Sequence, residues 1–306
     1  MKKRRPSTEA VHPRSEGLDL SSFDEIVRLL SVEDGAAVLA VRRVLPQVAR
    51  VAAVAAEAIR AGGRLIYVGA GTSGRLGVLD AAEVPPTFGT EPWQVVGVIA
   101  GGKAALTRSV EGAEDDALAG ARAVRALRAG PRDLVCGVTA SGTTPFVLAA
   151  LSEARRSKAT TALVCCNPEA GLKSAAQLVV APRTGPELVA GSTRLKAGTA
   201  TKLVLNAIST AAMVSLGRVY RGRMVDVAVT NRKLVGRARA IVADLTGLPA
   251  AQAAALLARA NGSPRVAIAM HLTGDTRQAA ERRLKKVGLR ALEPSRSPRH
   301  SRSPRA

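Results

Sequence analysis

Five short apolar runs recur between residues 64 and 182: RLIYVG (64–69), VVGVIA (95–100), DLVCGVT (133–139), TALVCC (161–166) and QLVVAP (177–182). Continuous apolar runs of this length, separated by stretches long enough for helices, are the pattern of strands covered on both faces. The alternation predicts an α/β fold, a parallel sheet between two helical layers, with ligands expected at the carboxyl ends of the strands. Upstream, Ala, Val and Leu recur at helical spacing from Asp34 to Ala61, mildly interrupted by Pro46, and Gly62 and Gly63 stop that helix before the first strand. A long helix is expected from about Leu195 to Leu216. From Asn231 the pattern is purely helical, with turn signals at Gly247-Leu248-Pro249, Gly262-Ser263-Pro264 and Gly274-Asp275, which suggests a small bundle appended to the sheet domain.

The 306 residues allow a main domain with a smaller companion. The expected division is an N-terminal arm over residues 1–18, the sheet domain over 19–230, the helical module over 231–288 and a basic tail over 289–306. The tail is a Ser/Pro/Arg segment that cannot bury apolar surface and is expected to be disordered. Aromatic residues are only 2% of the chain, so Ala, Val, Leu and Ile must fill the core. Met1 to Pro6 offer no apolar stretch for secretion, and Arg50, Glu57 and Arg60 interrupt the most apolar segment, Val48 to Gly63. A cytoplasmic protein with no membrane span is therefore expected. The three cysteines, Cys136, Cys165 and Cys166, lie in strand-like runs and read as reduced core residues.

A net charge of +21 raises the question of nucleic acid. The termini supply +6 of it, and the rest of the chain keeps +15. With neither interleaved aromatics nor a helix-turn-helix or zinc module, no specific nucleic-acid binding is expected; steering of an anionic substrate suits the charge better.

After the first run comes a glycine loop in which Gly69, Gly71 and Gly74 spell G-x-G-x-x-G at a strand-to-helix turn. A dinucleotide site also needs an acidic residue after the second strand, where this chain has Ala100-Gly101-Gly102-Lys103. A Walker loop needs Lys and Ser/Thr where Arg75 and Leu76 stand. What remains are the hydroxyls of Thr72 and Ser73, helix N-terminal amides and nearby Arg75, a set suited to a phosphate monoester. A second hydroxyl-rich turn, Thr139 to Pro145 (TASGTTP), follows the third strand. Two such loops at adjacent strand ends can grip one small phosphorylated molecule.

The histidines, His12, His271 and His300, all lie outside the sheet region, so neither a metal site nor a cofactor is expected and proton transfer falls to carboxylates. Glu83 is placed at the end of the helix launched by the glycine loop, just before Pro85 and Pro86. Its apolar neighbours Ala82 and Val84 suit an acid of raised pKa. Glu114 is expected to open the next helix within EGAEDD (111–116), where the helix dipole keeps a base ionised. Glu187 is a third carboxylate candidate. Arg194 and Lys196 serve either as cationic contacts to substrate or as partners of Glu187 at a helix start.

The strings GAGTSGRLGVLDAAEVPPTFGT (69–90), VVGVIAGG (95–102), CNP at Cys166 to Pro168 and GPELVAGSTRLKAGTATKLVLN at Gly185 to Asn206 resemble the N-acetylmuramic acid 6-phosphate etherases, a family built on the sugar isomerase domain. The resemblance spans roughly Thr8 to Gly288. It implies a three-layer parallel sheet flanked by helices, a small C-terminal three-helix module, a homodimer and a phosphorylated amino-sugar substrate in open-chain form. It further implies that Glu114 removes the carbon 2 proton, that Glu83 protonates the departing lactyl ether oxygen at carbon 3, and that water then adds back to give N-acetylglucosamine 6-phosphate and D-lactate. Thr72, Ser73, Ser141, Thr143 and Thr144 become the phosphate or sugar contacts. Where such proteins commonly read Thr-Glu-x-Arg-Asn-Pro, this chain has Val11 and His12, and Thr143 replaces an Arg common in the second loop. The alternatives are a sugar-phosphate isomerase using the same carbon 2 chemistry and a non-catalytic sugar-phosphate sensor.

Overall fold

The computed structural model describes residues 10–227 and 232–293. The chain divides into two compact units, one formed by the residues up to Pro85 together with Thr90–Leu216, the other by Pro86–Gly89 and the residues from Gly217 onward. The expected division between residues 230 and 231 and the tail from residue 294 lie outside the described residues.

The first unit is built on five parallel strands: β1 (Leu65–Gly69), β2 (Val95–Ile99), β3 (Leu134–Thr139), β4 (Thr160–Cys165) and β5 (Leu178–Val180), in the order β2-β1-β3-β4-β5. All five expected runs are strands, within one to two residues at each end. β1 and β3 are buried along their whole length, which is why their sequences are apolar without alternation. Ile66, Val68, Val135, Leu163 and Cys165 point to one face, where Val124 of α4 (Ala117–Ala126) and Phe146, Val147 and Leu151 of α5 (Pro145–Arg156) cover them. The short helix α6 (Pro168–Leu172) brings Gly171 against Val179 and Cys165 on the same face. The other face carries α2 (Leu45–Arg60), α3 (Gly71–Phe88) and α7 (Lys196–Ser215), and α1 (Phe23–Arg42) packs on α7.

The single helical stretch expected from Asp34 to Ala61 is two helices. Ser22 caps α1 by accepting from the Glu25 amide at 3.3 Å, and α2 starts with Pro46 in its first turn. Proline there gives up an amide that has no intrahelical partner, so Pro46 starts a helix rather than interrupting one. α3 likewise does not end before Pro85. The two prolines fall in its last turn, where only the bonds to two carbonyls are lost, and Val84 and Phe88 hold that turn down by burial.

Among the described residues the second unit contains a hairpin, β6 (Val219–Tyr220) and β7 (Arg223–Met224), and four helices: α8 (Arg232–Thr246), α9 (Ala250–Arg259), α10 (Pro264–Thr273) and α11 (Arg277–Lys286). That is one helix more than the expected module, because Gly274 ends α10 in a left-handed conformation and Thr276 caps a further helix by accepting from the Ala279 amide. The hairpin strands, two residues each, are too short for a periodic signal. Their turn carries Arg221 and Gly222 at positive φ, the geometry of a two-residue hairpin loop. Ala238, Ile241, Val242, Ala253, Leu257, Ile268 and Ala280 form the core. The disorder expected from residue 289 does not apply to residues 289–293: Leu289 is buried in this core, and Glu293 accepts from the Tyr220 hydroxyl.

Among the described residues no single helix is long and apolar enough to cross a membrane. The pair Leu234–Thr246 and Ala250–Arg259, bent by 108°, passes that test only together, and its apolar residues make the core just described.

Candidate active site

The strand order reverses direction between β1 and β3, so their carboxyl ends diverge into helices on opposite faces and leave a crevice between them. Gly69, the last residue of β1, pairs with Val138, the residue before the last of β3, so the two expected loops emerge side by side.

Three glycines shape the first loop for different reasons. Gly71 has φ 51°, the left-handed conformation that starts α3 directly off the strand. A Cβ on Gly69 would lie 2.7 Å from the Gly74 nitrogen, and one on Gly74 would lie 2.6 Å from Ile99 Cγ1 and 2.8 Å from the Gly69 oxygen. The helix therefore presses on the strand ends, and its first-turn residues, Thr72 and Ser73, stand half-buried at the mouth of the crevice. The start of α7 closes on the same turn: the place a Gly198 Cβ would occupy is 3.6 Å from Thr72 Cγ2. Arg75 is held by the chain's own backbone. Its guanidinium donates to the carbonyls of Leu106 (3.2 Å) and Arg108 (3.1 Å), tethering the segment that leads to Glu114.

The second loop is a network of hydroxyls. Thr139, the buried last residue of β3, sits at its centre. Its Oγ1 lies 2.7 Å from Thr144 Oγ1 and 3.4 Å from Ser141 Oγ, and it accepts from the Gly142 amide at 3.3 Å. Ser141 Oγ accepts from both the amide (3.2 Å) and the hydroxyl (3.0 Å) of Thr143. With both lone pairs used, the Ser141 proton must be given away, to Thr139 or to a ligand. Gly142, at φ 76°, turns the backbone against Ala170, and Asn167 donates to the Ser141 carbonyl at 3.2 Å.

Glu114 belongs to this end of the sheet, though not in the first turn of a helix. It lies exposed in the turn before α4, whose N-cap is Asp116, accepting from the Ala119 amide at 2.7 Å. The Phe146 amide donates to the Glu114 carbonyl at 3.0 Å, fixing this turn beside the second loop. Glu83 is elsewhere. α3 descends the sheet, Gly74 against Gly69, Gly77 against Tyr67 and Val78 against Gly97, so Glu83 lies near the amino ends of the strands, with its side chain exposed rather than in a dry setting.

The third carboxylate serves α7. Glu187, 1% exposed, accepts from the amides of Lys196 (3.0 Å) and Ala197 (2.8 Å), and burial pushes its carboxyl up against the opposing pull of those amides. The Lys196 ammonium, also buried, turns to Glu33 of α1, and Arg194 is exposed. Glu33 also holds His12: Nε2 is 3.3 Å from Oε1, while Nδ1 accepts from the Arg14 amide, which puts the imidazole proton on Nε2. Burial raises the Glu33 carboxyl, and Lys196, His12 and Arg14 together outweigh it, leaving it below its ordinary value. Thr139, Glu33 and the clasp of His12 were not singled out from sequence; only the first Thr of TASGTT offered a signal.

The cysteines are buried free thiols, with burial pushing Cys136 and Cys166 up to about 12. Among the described residues no group of three or more His, Cys, Asp and Glu is placed to hold a metal ion.

The model of the glucokinase regulatory protein N-terminal SIS domain, the sugar isomerase domain, matches residues 47–155. The N-acetylmuramic acid 6-phosphate etherase of Cutibacterium acnes is 50% identical over 282 residues, covering 92% of this chain and 93% of that protein. Those of Photorhabdus laumondii (48% identical, 91% and 93% covered) and Serratia proteamaculans (50% identical, 90% and 93% covered) are as similar.

Proposed function

Because this chain belongs to the N-acetylmuramic acid 6-phosphate etherase family, we propose that it is a carbon–oxygen lyase that cleaves the lactyl ether of N-acetylmuramic acid 6-phosphate, giving N-acetylglucosamine 6-phosphate and D-lactate. The observation that carries the reading is the side-by-side emergence of two hydroxyl-bearing loops at the switch point, with Glu114 fixed beside the second. Thr72, Ser73, Ser141, Thr143 and Thr144 present hydroxyls to the phosphate and sugar, and the first-turn amides of α3 add partial positive charge. Exposed Arg194, at the start of α7, takes the lactyl carboxylate, while Glu187 and Lys196 hold that helix start in place.

In the open-chain sugar, the Glu114 carboxylate takes the proton from carbon 2, which the aldehyde acidifies. The carbon 3–oxygen bond breaks as the Glu83 carboxyl of a second copy of the chain protonates the leaving lactate, and water adds to the resulting double bond. No metal is required, since carboxylates supply both transfers. We further propose a homodimer acting in the cytoplasm. Leu20, Phe23 and Val27, at or near the start of α1, are strongly exposed apolar residues that a second copy would cover.

Incubating the purified protein with N-acetylmuramic acid 6-phosphate and a chelator should release lactate. Glu114→Gln is expected to lower turnover about 100-fold or more, within the range for a lost general base. An isomerase would change the sugar without lactate, a sensor would leave it untouched, and either result would overturn the proposal. Light scattering should return twice the chain mass.

A further inference from the structure

We infer that His12 is a positioning residue for the phosphosugar: acting through Glu33 and Lys196, it holds the first turn of α7 against the glycine loop. This rests on the function proposed above and adds a residue of the N-terminal arm to the same crevice. His12 stands before α1 and is buried, at 8% exposure, while its neighbours Val11, Pro13 and Arg14 are exposed. Its ring is fixed on both edges. Nδ1 accepts from the Arg14 amide at 3.0 Å, and Ser15 closes the turn that follows by donating its amide (3.0 Å) and its hydroxyl (2.6 Å) to the His12 carbonyl. Nε2 is left to donate to Glu33 Oε1 at 3.3 Å.

Glu33 divides its carboxylate between two donors. Oε1 takes His12, and Oε2 takes the Lys196 ammonium. Lys196 is the first residue of α7 and is buried, so its charge has left water and requires a partner. Arg14 approaches Glu33 only to 4.0 Å and lies largely in solvent, so it does not replace the bond from His12. The turn that Lys196 opens borders the site. The place of a Gly198 Cβ is 3.6 Å from Thr72 Cγ2, and Arg194, two residues before Lys196, is the proposed contact for the lactyl carboxylate. Glu187 secures the Lys196 and Ala197 amides, whereas Glu33 and Asp34, the latter accepting from the Thr199 hydroxyl at 3.2 Å, join the turn to α1. With no donor on Oε1, Glu33 is drawn toward water and away from Lys196, and the turn that carries Arg194 and faces Thr72 loses its tie to α1.

The test is steady-state lactate release by variants of the full-length protein. His12→Leu fills the space but offers Glu33 no donor. Its KM is expected to rise about 10-fold with kcat within about twofold of normal, because substrate is held less well while the proton transfers are untouched. His12→Gln can place an N–H where Nε2 stands and is expected to bring KM back to within about threefold of normal. In a Glu33→Ala background, which removes the acceptor that both donors share, His12→Leu is expected to change KM by less than about twofold. An arm that merely stabilises the fold would shift urea unfolding and leave KM alone. An unchanged KM in His12→Leu, a fall in kcat alone, a Gln variant no better than Leu, or a full second rise in the Glu33→Ala background overturns the inference while leaving the proposed function standing. Absence of lactate from the normal protein overturns the function itself. Should His12→Leu fold poorly, His12→Ala takes its place, and the comparison with His12→Gln carries the test.

Discussion

The two ends of the parallel sheet are built in opposite ways. At the amino end, charge and tight backbone contact fix the strands. Arg64 forms two bonds to Asp133 (Nε–Oδ1 3.1 Å, NH2–Oδ2 2.7 Å), the Gly130 amide adds a third, and Gly63 lies so close to the Arg132 carbonyl that no side chain fits between. At the carboxyl end no ion pair joins β1 to β3 among the described residues. Glycines bring the backbones together there, and the polar side chains are hydroxyls bonded mainly to one another. A paired charge is already satisfied, whereas a hydroxyl that accepts from its neighbours keeps a proton to give. Rigidity from charge at one end thus leaves the other end free to present donors to a phosphate.

The sharpest way to break this comparison is to put a side chain where the carboxyl end has none. Gly74→Ala places a methyl 2.6 Å from Ile99 Cγ1 and 2.8 Å from the Gly69 carbonyl. The isoleucine can yield, but the strand backbone cannot, so a loss of about 3 kcal/mol in urea unfolding is expected. At Gly71 nothing lies within 4 Å of the added methyl, and only the positive φ opposes it, so Gly71→Ala should cost about 1 kcal/mol. Equal effects at the two positions would show that packing does not shape the loop.

A smaller effect is expected at Thr139, and in binding rather than stability. Its Oγ1 accepts from the Gly142 amide and lies 2.7 Å from Thr144 Oγ1, so with Thr139 as the donor of that pair the Thr144 proton is left for a phosphate oxygen. Thr139→Val keeps the shape and removes the hydroxyl. The expected result is a KM about 10-fold higher, the size of one lost hydrogen bond to a charged group, with kcat changed little and Thr139→Ser restoring KM. A fall in kcat with unchanged KM would argue against a role in positioning the cradle.

These residues also show what the chain discloses before it is folded. The strands and their order of appearance were legible because a doubly covered strand must be apolar at every position, a constraint that leaves little freedom between Leu65 and Val180. The glycine loop was legible for the same reason, since only glycine satisfies a close approach. The extra helix and the hairpin were not, being short elements fixed by turns rather than by periodicity. For Arg75 the sequence shows the charge and not the two carbonyls to which its guanidinium donates. Glu114 read as a residue of the first helical turn because four acidic residues share positions 111–116, and only the fold shows that Asp116 is the cap. The position of Glu83, an apolar setting by its neighbours in sequence and an exposed one in the fold, shows how little adjacency says about burial on a helix, where neighbours point 100° apart.

The smallest effect tests the amino end, and it depends on pH. Burial pushes the Asp133 carboxyl up, but the bonds from Arg64 and Gly130 outweigh it and leave it below the ordinary carboxylate value. A carboxylate lowered on folding adds stability above its unfolded pKa, near 4, and that contribution is lost as pH falls through the folded value. Asp133→Asn should therefore cost about 1 kcal/mol at neutral pH, as expected of a partly buried, bidentate pair. The gap between the two proteins should narrow as pH drops below about 4, because the normal chain loses its charge there and the variant has none to lose. KM for the phosphosugar should stay unchanged at neutral pH, because the pair lies at the end of the sheet away from the loops. If instead Asp133→Asn raised KM as Thr139→Val is expected to, the two ends would be mechanically coupled through β3, and holding the strands and presenting the donors would be one task.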